Sequence, residues 1–202
     1  MERFRLEGRH VRLEPLGMGH ADALLAASEE DRTTYGFTRT PAGPAGVVAY
    51  IDEALADERG GTRLPFATWW SDASRFVGST SFFPEWWEWE HRSEWPTVAE
   101  IGGTWLAASA QRTPVNTEAK YLMLTHAFEV WGVVRMSLKT DARNARSRTA
   151  IERLGAHYDG TLRRHMPALG PGGGARDSAF FSIVAEEWPA VKARLESLLS
   201  AY

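Results

Sequence analysis

The sequence contains no cysteine among its 202 residues. This absence excludes a cysteine nucleophile, a thiolate metal site and a disulfide framework, and it fits a reducing compartment. No run of apolar residues is long enough to span a membrane, and the N-terminus lacks the apolar core of a signal peptide. These absences predict a cytoplasmic protein that has no membrane partner.

A large excess of charge of either sign is also missing, since the formal net charge is −3. Such a chain has no general attraction to nucleic acid, so we expect no nucleic-acid partner. Neither GxxxxGK[ST] nor GxGxxG occurs, so nucleotide hydrolysis and dinucleotide redox chemistry have no support. The six histidines show no metal-ligand spacing, and we expect no metal cofactor.

Hydrophobic residues make up 44% of the chain, enough for a substantial core in one domain covering residues 1–202. Residue patterns predict seven strands at 9–16, 64–70, 75–83, 98–107, 135–139, 157–165 and 179–185. They predict helices at 20–30, 46–59, 117–131, 147–154 and 187–202. This order of elements indicates a mixed α/β sheet flanked by helices.

The stretch 98–131 organises the chain, because it combines a strand, a polar turn and a long amphipathic helix. The pair Gly102-Gly103 inside the strand suggests a bulge. Helical spacing predicts one buried face, made of Ala119, Leu122, Met123, His126, Ala127 and Val130. The turn at 111–118 would aim the free N–H groups of the helix start outward, where anions bind.

This arrangement resembles the acetyl-CoA site of the GNAT superfamily of N-acetyltransferases, whose motif is Gln/Arg-x-x-Gly-x-Gly/Ala. Gln111 matches the first position, whereas Pro114 and Asn116 replace the two small residues. Proline has no N–H to offer a phosphate. The resemblance continues through residues 135–164, which are similar to the ribosomal-protein and amino-group acetyltransferase branch, the RimJ/RimL-like proteins.

The resemblance implies a GNAT-like sheet of seven mostly antiparallel strands, splayed between its fourth and fifth strands. It implies an N-acetyltransferase that moves an acetyl group from acetyl-CoA to a primary amine by direct attack in a ternary complex. The acceptor would be a protein N-terminus or a small amine. Two alternatives stay open: a GNAT fold that has lost catalysis and senses a ligand, and a protein-interaction module.

The resemblance also assigns roles to residues. Glu100 would be the general base, and Ser147 or a water the acid, because Ile151 stands where many family members carry a tyrosine. The residues that would hold acetyl-CoA are Trp105, Leu106, Ala107, Gln111, Arg112, Thr113, Val115, Asn116, Thr117, Asn144 and Arg148. Other interpretations are a Glu100 that faces solvent or binds the substrate amine electrostatically, an ordinary core strand at residues 105–107, surface arginines and an N-cap role for Asn144.

The connection at 84–97 places four tryptophans among glutamates between two prolines. Trp is enriched in interfaces, so Trp87 and Trp89 are candidates for binding the acceptor, or for a contact between the subunits of a homodimer. The alternative is a packed loop whose indoles cover a sheet edge.

Overall fold

The computed structural model describes residues 2–87, 94–169 and 173–202. The strands are β1 (Leu6–Glu7), β2 (Val11–Pro15), β3 (Leu64–Trp70), β4 (Arg75–Glu85), β5 (Val98–Leu106), β6 (Arg135–Asp141), β7 (His157–Pro167) and β8 (Ala175–Val184). The helices are α1 (Ala21–Glu29), α2 (Gly43–Arg59), α3 (Pro114–Thr125), α4 (Ala145–Leu154) and α5 (Trp188–Leu199).

One sheet holds the eight strands in the order β1-β2-β3-β4-β5-β6-β8-β7. Every neighbouring pair is antiparallel except β5 and β6, which are parallel. The predicted mixed, mostly antiparallel sheet is confirmed, but the predicted count of seven strands is wrong. The additional strand is β1, whose two residues are too few for an alternating pattern to reveal.

Helices cover both faces of the sheet, as hydrogen bonds at β4 demonstrate. The Tyr50 hydroxyl of α2 donates to the Ser79 hydroxyl over 3.0 Å, and the Lys120 ammonium of α3 donates to the Thr80 hydroxyl over 3.1 Å. Because successive side chains of a strand point to opposite faces, α2 and α3 lie on opposite sides. We call these the α2 face and the α3 face.

The predicted bulge is confirmed in β5. Ser79 pairs with Trp105 and Ser81 pairs with Gly102, so β5 carries one residue more than β4 between these pairs. Gly103 adopts a φ of +60°, a left-handed conformation that favours glycine.

The predicted splay lies between β5 and β6, the fourth and fifth strands of the sequence analysis. Their pairing ends at Glu100 and Ser137, although β5 continues to Leu106 and β6 to Asp141. We call the space beyond the last pair the β5/β6 gap.

The helix starts follow local capping rules. The Thr113 side chain accepts a hydrogen bond from the Val115 N–H, with Pro114 in the first turn of α3. Helix α3 continues into a π-helical turn over His126–Trp131. A π turn shifts the buried face, so Val130 is 54% exposed, contrary to the predicted pattern, and Trp131 is buried instead.

None of the helices within the described ranges is long and apolar enough to cross a membrane.

Candidate functional site

Trp105 lies on the α2 face, in the part of β5 that no longer pairs with β6. Its indole packs edge-on against the rings of Tyr35 and Tyr50, at centroid distances of 6.4 and 6.3 Å. The residue is 3% exposed, yet its Nε1–H has no hydrogen-bond partner in the described part of the chain. An unpaired buried donor costs about 1–3 kcal/mol, and the Nε1–H of Trp131 in the core is in the same state.

Backbone groups at the end of β5 are partly engaged within the protein. The Leu106 carbonyl accepts from the Tyr35 hydroxyl and from the Gln111 side-chain amide, both over 3.1 Å. The Ala107 N–H donates to the Val77 carbonyl over 2.6 Å. The expectation that the backbone of Trp105, Leu106 and Ala107 pairs with the pantetheine arm stays a prediction, and two of these backbone groups already have partners within the protein.

In the turn before α3, the N-cap residue Thr113 already engages some of the backbone groups expected to bind a phosphate. The Thr113 hydroxyl donates to the Ala110 carbonyl over 2.7 Å and accepts from the Val115 N–H over 3.3 Å. Pro114 has no N–H, and helix geometry directs the Thr117 N–H to the Thr113 carbonyl. Of the N–H groups expected to hold a pyrophosphate, that of Asn116 is therefore the one best placed to do so.

The side chains of this turn differ in their exposure to solvent. Thr117 is buried, and its hydroxyl accepts from Arg153 of α4 over 3.2 Å. Arg112 is exposed, with a φ of +63°. Asn116 is partly exposed.

An arginine that was not predicted from the sequence joins three segments at this turn. Arg146 of α4 donates to the Thr34 carbonyl over 2.8 Å and to the Gln111 side-chain oxygen over 3.4 Å. The Gln111 amide in turn donates to the Thr34 hydroxyl over 3.2 Å. The connection between α1 and α2, the turn before α3 and the start of α4 therefore meet here. No local pattern indicated Arg146, which stands between the candidates Asn144 and Ser147 in the sequence.

Asn144 caps α4, because its side-chain oxygen accepts from the Ser147 N–H over 3.1 Å. Its NH₂ group and the Ser147 hydroxyl make no hydrogen bond with the residues that the structure describes, so both stay available for a ligand. Arg148 instead lies over the Tyr158 ring at 5.5 Å and donates to the Ala142 carbonyl over 3.4 Å.

Glu100 lies at the last β5–β6 pair, at the mouth of the gap. Its carboxylate accepts from the Lys139 ammonium of β6 over 2.7 Å, with both side chains partly buried. A Cβ added at Gly102 would lie 2.8 Å from the Glu100 carboxylate and 3.1 Å from the Phe83 ring. Gly102 therefore leaves the room in which this carboxylate sits. Lys139 was not predicted from the sequence, since nothing local pairs it with Glu100.

A second group of charges continues along the same sheet face towards β8. Asp141 is buried, and the hydrogen bond from the Arg143 guanidinium lowers its pKa. Arg176 of β8 is also buried, and its Nε donates to the Ser178 hydroxyl over 3.1 Å. None of these residues was predicted from the sequence.

Lys120 is a buried cation on the α3 face, below the β5 bulge. Its ammonium donates to the hydroxyls of Thr80 and Thr104, over 3.1 and 2.7 Å. No carboxylate lies within ion-pair distance among the residues described, and burial lowers the pKa of Lys120 to about 7. It was missed because helical spacing alone does not reveal a polar residue on the inner face.

Two further sequence predictions concern the tryptophan-rich connection and metals. Trp87 is half-buried, and its backbone N–H donates to the Thr97 hydroxyl over 3.2 Å. Trp89 lies outside the described residues. Within the described ranges, no group of three or more His, Asp or Glu side chains could hold a metal ion.

Comparisons with known proteins agree with this geometry. A family model for the acetyltransferase (GNAT) domain matches residues 10–157. A crystal structure from T. thermophilus, described as an acetyltransferase, is 38% identical, with coverage of 98% of this chain and 100% of that one and a TM-score of 0.81. A GCN5-related N-acetyltransferase from Brucella melitensis is 33% identical, with coverage of 98% and 86% and a TM-score of 0.82.

More distant likenesses concern the fold. Mycobacterium smegmatis RimJ, in complex with CoA-disulfide, is 23% identical, with coverage of 97% of this chain and 93% of its own and a TM-score of 0.73. No curated protein matches this chain significantly. The family match and the two closer structures show that the chain belongs to the GNAT family and is an acetyl-CoA-dependent N-acetyltransferase.

Proposed function

We propose that this enzyme acetylates a primary amine by direct attack of the amine on acetyl-CoA in a ternary complex. The observation that carries the proposal is the Glu100 carboxylate, which holds the Lys139 ammonium at 2.7 Å at the mouth of the β5/β6 gap. An acceptor ammonium that replaces Lys139 would rest on the same carboxylate. Glu100 would then accept its proton, as a general base does.

The groups around the gap support the rest of the reaction. As the amine nitrogen bonds to the acetyl carbon and the carbon–sulfur bond breaks, an N–H near Trp105 would stabilise the charge on the acetyl oxygen. The Ser147 hydroxyl, which is free of protein partners in the described structure, or a water would give the sulfur its proton.

The cosubstrate would lie along the β5/β6 gap, where β5 leaves β6. The Asn144 amide and the unpaired Trp105 Nε1–H are available to hold it, and the Asn116 N–H would meet the pyrophosphate. The other candidate residues would line this pyrophosphate site or lie next to it: Gln111, Arg112, Thr113, Val115, Thr117 and Arg148. The RimJ neighbour with CoA-disulfide supports a CoA site on this fold.

Replacing the proposed base tests this function. Glu100→Gln should lower turnover by roughly 10²–10⁴-fold and leave acetyl-CoA affinity nearly unchanged. Part of the activity should return at high pH, where the free amine needs no base. Glu129→Gln is the matched control, because Glu129 also accepts from a lysine, Lys192, over 2.7 Å but lies by α5. Activity of Glu100→Gln within threefold of the parent enzyme would overturn the assignment.

A non-catalytic ligand sensor is the second candidate, favoured by the turn before α3. Pro114 lacks an N–H, and the Val115 N–H donates to the Thr113 hydroxyl. Fewer N–H groups are therefore free to bind a pyrophosphate. The enzyme proposal expects a free-energy stabilisation of about 2.7 kcal/mol at a hundredfold excess of acetyl-CoA over its Kd. No thermal shift at millimolar acetyl-CoA, with no CoA released from any amine acceptor, would favour the sensor.

The tryptophan-rich connection supplies a proposal for the acceptor side. Trp86 and Trp95, at the described ends of this connection, are exposed. We propose that Trp87 and Trp89 line the acceptor site or contact a second subunit. Replacing both by alanine should raise the acceptor KM in the first case and halve the particle mass in the second. A lower melting temperature alone would make the segment a scaffold.

We also infer that residues 1–202 form one acetyltransferase domain of the RimJ/RimL-like branch, acting on a protein N-terminus or a small amine. A cytoplasmic location stays a prediction from the cysteine-free sequence.

A further inference from the structure

Arg176 carries a largely buried positive charge that no carboxylate contacts in the described part of the chain. The residue is 9% exposed. Its one hydrogen bond among the described residues runs from Nε to the Ser178 hydroxyl, and no carboxylate lies within ion-pair distance. An arginine buried to this extent without a paired anion is uncommon in proteins.

Arg63 shows how this fold treats a buried arginine with a structural role. Its Nε donates to the Ser81 hydroxyl over 2.8 Å, one Nη donates to the Tyr50 hydroxyl over 3.2 Å, and the other lies 3.7 Å from the Asp57 carboxylate. Every nitrogen of Arg63 therefore has a partner. Both Nη groups of Arg176 lack one within the described structure.

Two carboxylates, those of Asp141 and Glu100, act on the charge of Arg176. Each of them is already paired with another cation. Asp141 accepts from Arg143 through both oxygens, over 3.0 and 2.8 Å. Glu100 accepts from Lys139. Burial lowers the pKa of Arg176, and the charges of Asp141 and Glu100 oppose that shift without forming a contact. Arg176 is therefore the cation of this group without an ion pair among the described residues.

Arg176 lies on the sheet face that also carries the proposed acceptor site, and it precedes the residue of β8 that pairs with Lys139. Arg176 and Ser178 are two residues apart on β8, so they share one sheet face. Ser178 pairs with Asp141, and Phe180 pairs with Lys139, whose ammonium lies 5.9 Å from the Phe180 ring. The face that carries Arg176 therefore leads to Lys139 and to the mouth of the gap.

Ser178 fixes the direction of the guanidinium. Its hydroxyl accepts from Arg176 Nε and lies 3.0 Å from His165 Nδ1. With Nε held in this way, the two Nη groups are left as a planar pair of donors, the geometry that binds a carboxylate through both oxygens.

We propose that Arg176 binds a carboxylate carried by the amine acceptor, so that the substrates of this enzyme are amines that also bear an acidic group. This inference rests on the proposed acetyl transfer at Glu100. Glu100 would hold the amine end of such a molecule, and Arg176 its carboxylate end.

Paired acceptors that differ in one group test the proposal. Suitable pairs are glycine with glycinamide, 4-aminobutyrate with its amide, and C-terminally amidated peptides that begin with Asp or with Asn. The pair of phosphoethanolamine and ethanolamine tests whether the site binds a phosphate instead of a carboxylate. Calorimetric binding and CoA release are both measured, with the wild-type enzyme, Arg176→Met and Arg176→Lys. Arg135→Met is the control, since Arg135 is paired with Asp159 on the same sheet.

The wild-type enzyme should bind the acid of at least one carboxylate pair about ten- to hundredfold more tightly than the amide, because hydrogen bonds to charged groups are strong. Arg176→Met should abolish that preference, Arg176→Lys should keep part of it, and Arg135→Met should leave it unchanged. Equal binding of acid and amide in every carboxylate pair overturns the inference, as does a preference confined to the phosphate pair. Binding of the acids without CoA release would contradict the proposed transfer and leave the carboxylate site standing.

The stability of the free protein gives a second, independent readout. If Arg176 is kept for a ligand, Arg176→Met should leave the melting temperature unchanged or raise it, because no ion pair is lost. Arg63→Met, which breaks a complete set of contacts, should lower it. A loss in Arg176→Met as large as that in Arg63→Met would make Arg176 structural and overturn the proposal.

Discussion

The Lys139 ammonium and the Glu100 carboxylate meet over 2.7 Å at the point where β5 and β6 separate. The two residues are 39 positions apart in the sequence. Their contact occupies the one carboxylate that the proposed reaction requires as a base, so it should compete with the acceptor.

Removing the competing ammonium tests this relationship. Lys139→Met should lower the acceptor KM by up to about fivefold, because a partly exposed ion pair is worth about 0.2–1 kcal/mol, and it should leave kcat nearly unchanged. Lys192→Met, which breaks the similar pair with Glu129, should have no effect on KM. Steady-state kinetics with one amine acceptor measures both. A higher KM together with a lower kcat in Lys139→Met would instead make Lys139 part of the catalytic machinery.

The unpaired indole N–H of Trp105 should matter to acetyl-CoA. Trp105→Phe keeps an aromatic ring on Tyr35 and Tyr50 but removes the donor, so acetyl-CoA affinity should fall by about tenfold, as measured by calorimetry. Trp131 is the matched control, because its Nε1–H is also buried without a partner in the described structure while its ring packs on Phe82 in the core. Trp131→Phe should lower stability and leave the affinity unchanged. Equal affinities in the parent enzyme and Trp105→Phe would mean that the cosubstrate does not use this donor.

Restoring an N–H at the start of α3 should tighten cosubstrate binding. Pro114→Ala adds the donor that proline lacks, and one hydrogen bond corresponds to roughly a two- to tenfold lower Kd for acetyl-CoA. Pro189→Ala makes the same change in the first turn of α5 and should leave this Kd unaffected. An unchanged Kd in Pro114→Ala would show that the phosphates do not meet this helix start.

The buried Lys120 should make stability depend on pH. Burial lowers its pKa from the ordinary 10.5 to about 7, so between these pH values the unfolded chain binds one more proton at this site. The free energy of unfolding should therefore rise with pH across that window, by at most about 1.4 kcal/mol per pH unit. Urea unfolding at several pH values measures the slope.

Lys120→Met should reduce that slope. The hydroxyls of Thr80 and Thr104, which lie 2.8 Å apart, would still bond to each other, so the variant should fold. Lys192→Met serves as the control, because the hydrogen bond with Glu129 raises the pKa of Lys192, and its titration falls above the window. Identical slopes in the parent protein and Lys120→Met would show that Lys120 stays charged in the folded state.

Local features of the sequence determined most of the elements. Periodicity predicted the helices to within a few residues, and the glycine pair predicted the bulge that Gly103 makes. Asn144 was recognised both as a ligand candidate and as an N-cap, and the cap is confirmed. These predictions succeed because capping, turns and amphipathic spacing depend on residues within one or two turns of the chain.

Only the tertiary structure decided which charged groups share a site. The meeting of Glu100 with Lys139 depends on the parallel register of β5 and β6, and the setting of Arg176 depends on the insertion of β8 between β6 and β7. Lys120 is spaced like a surface residue, yet packing of α3 on the sheet buries it against Thr104. Register and helix packing arise from contacts between distant parts of the chain. The sequence therefore determined the family, the helices and the bulged strand, whereas folding determined the partners of each charge.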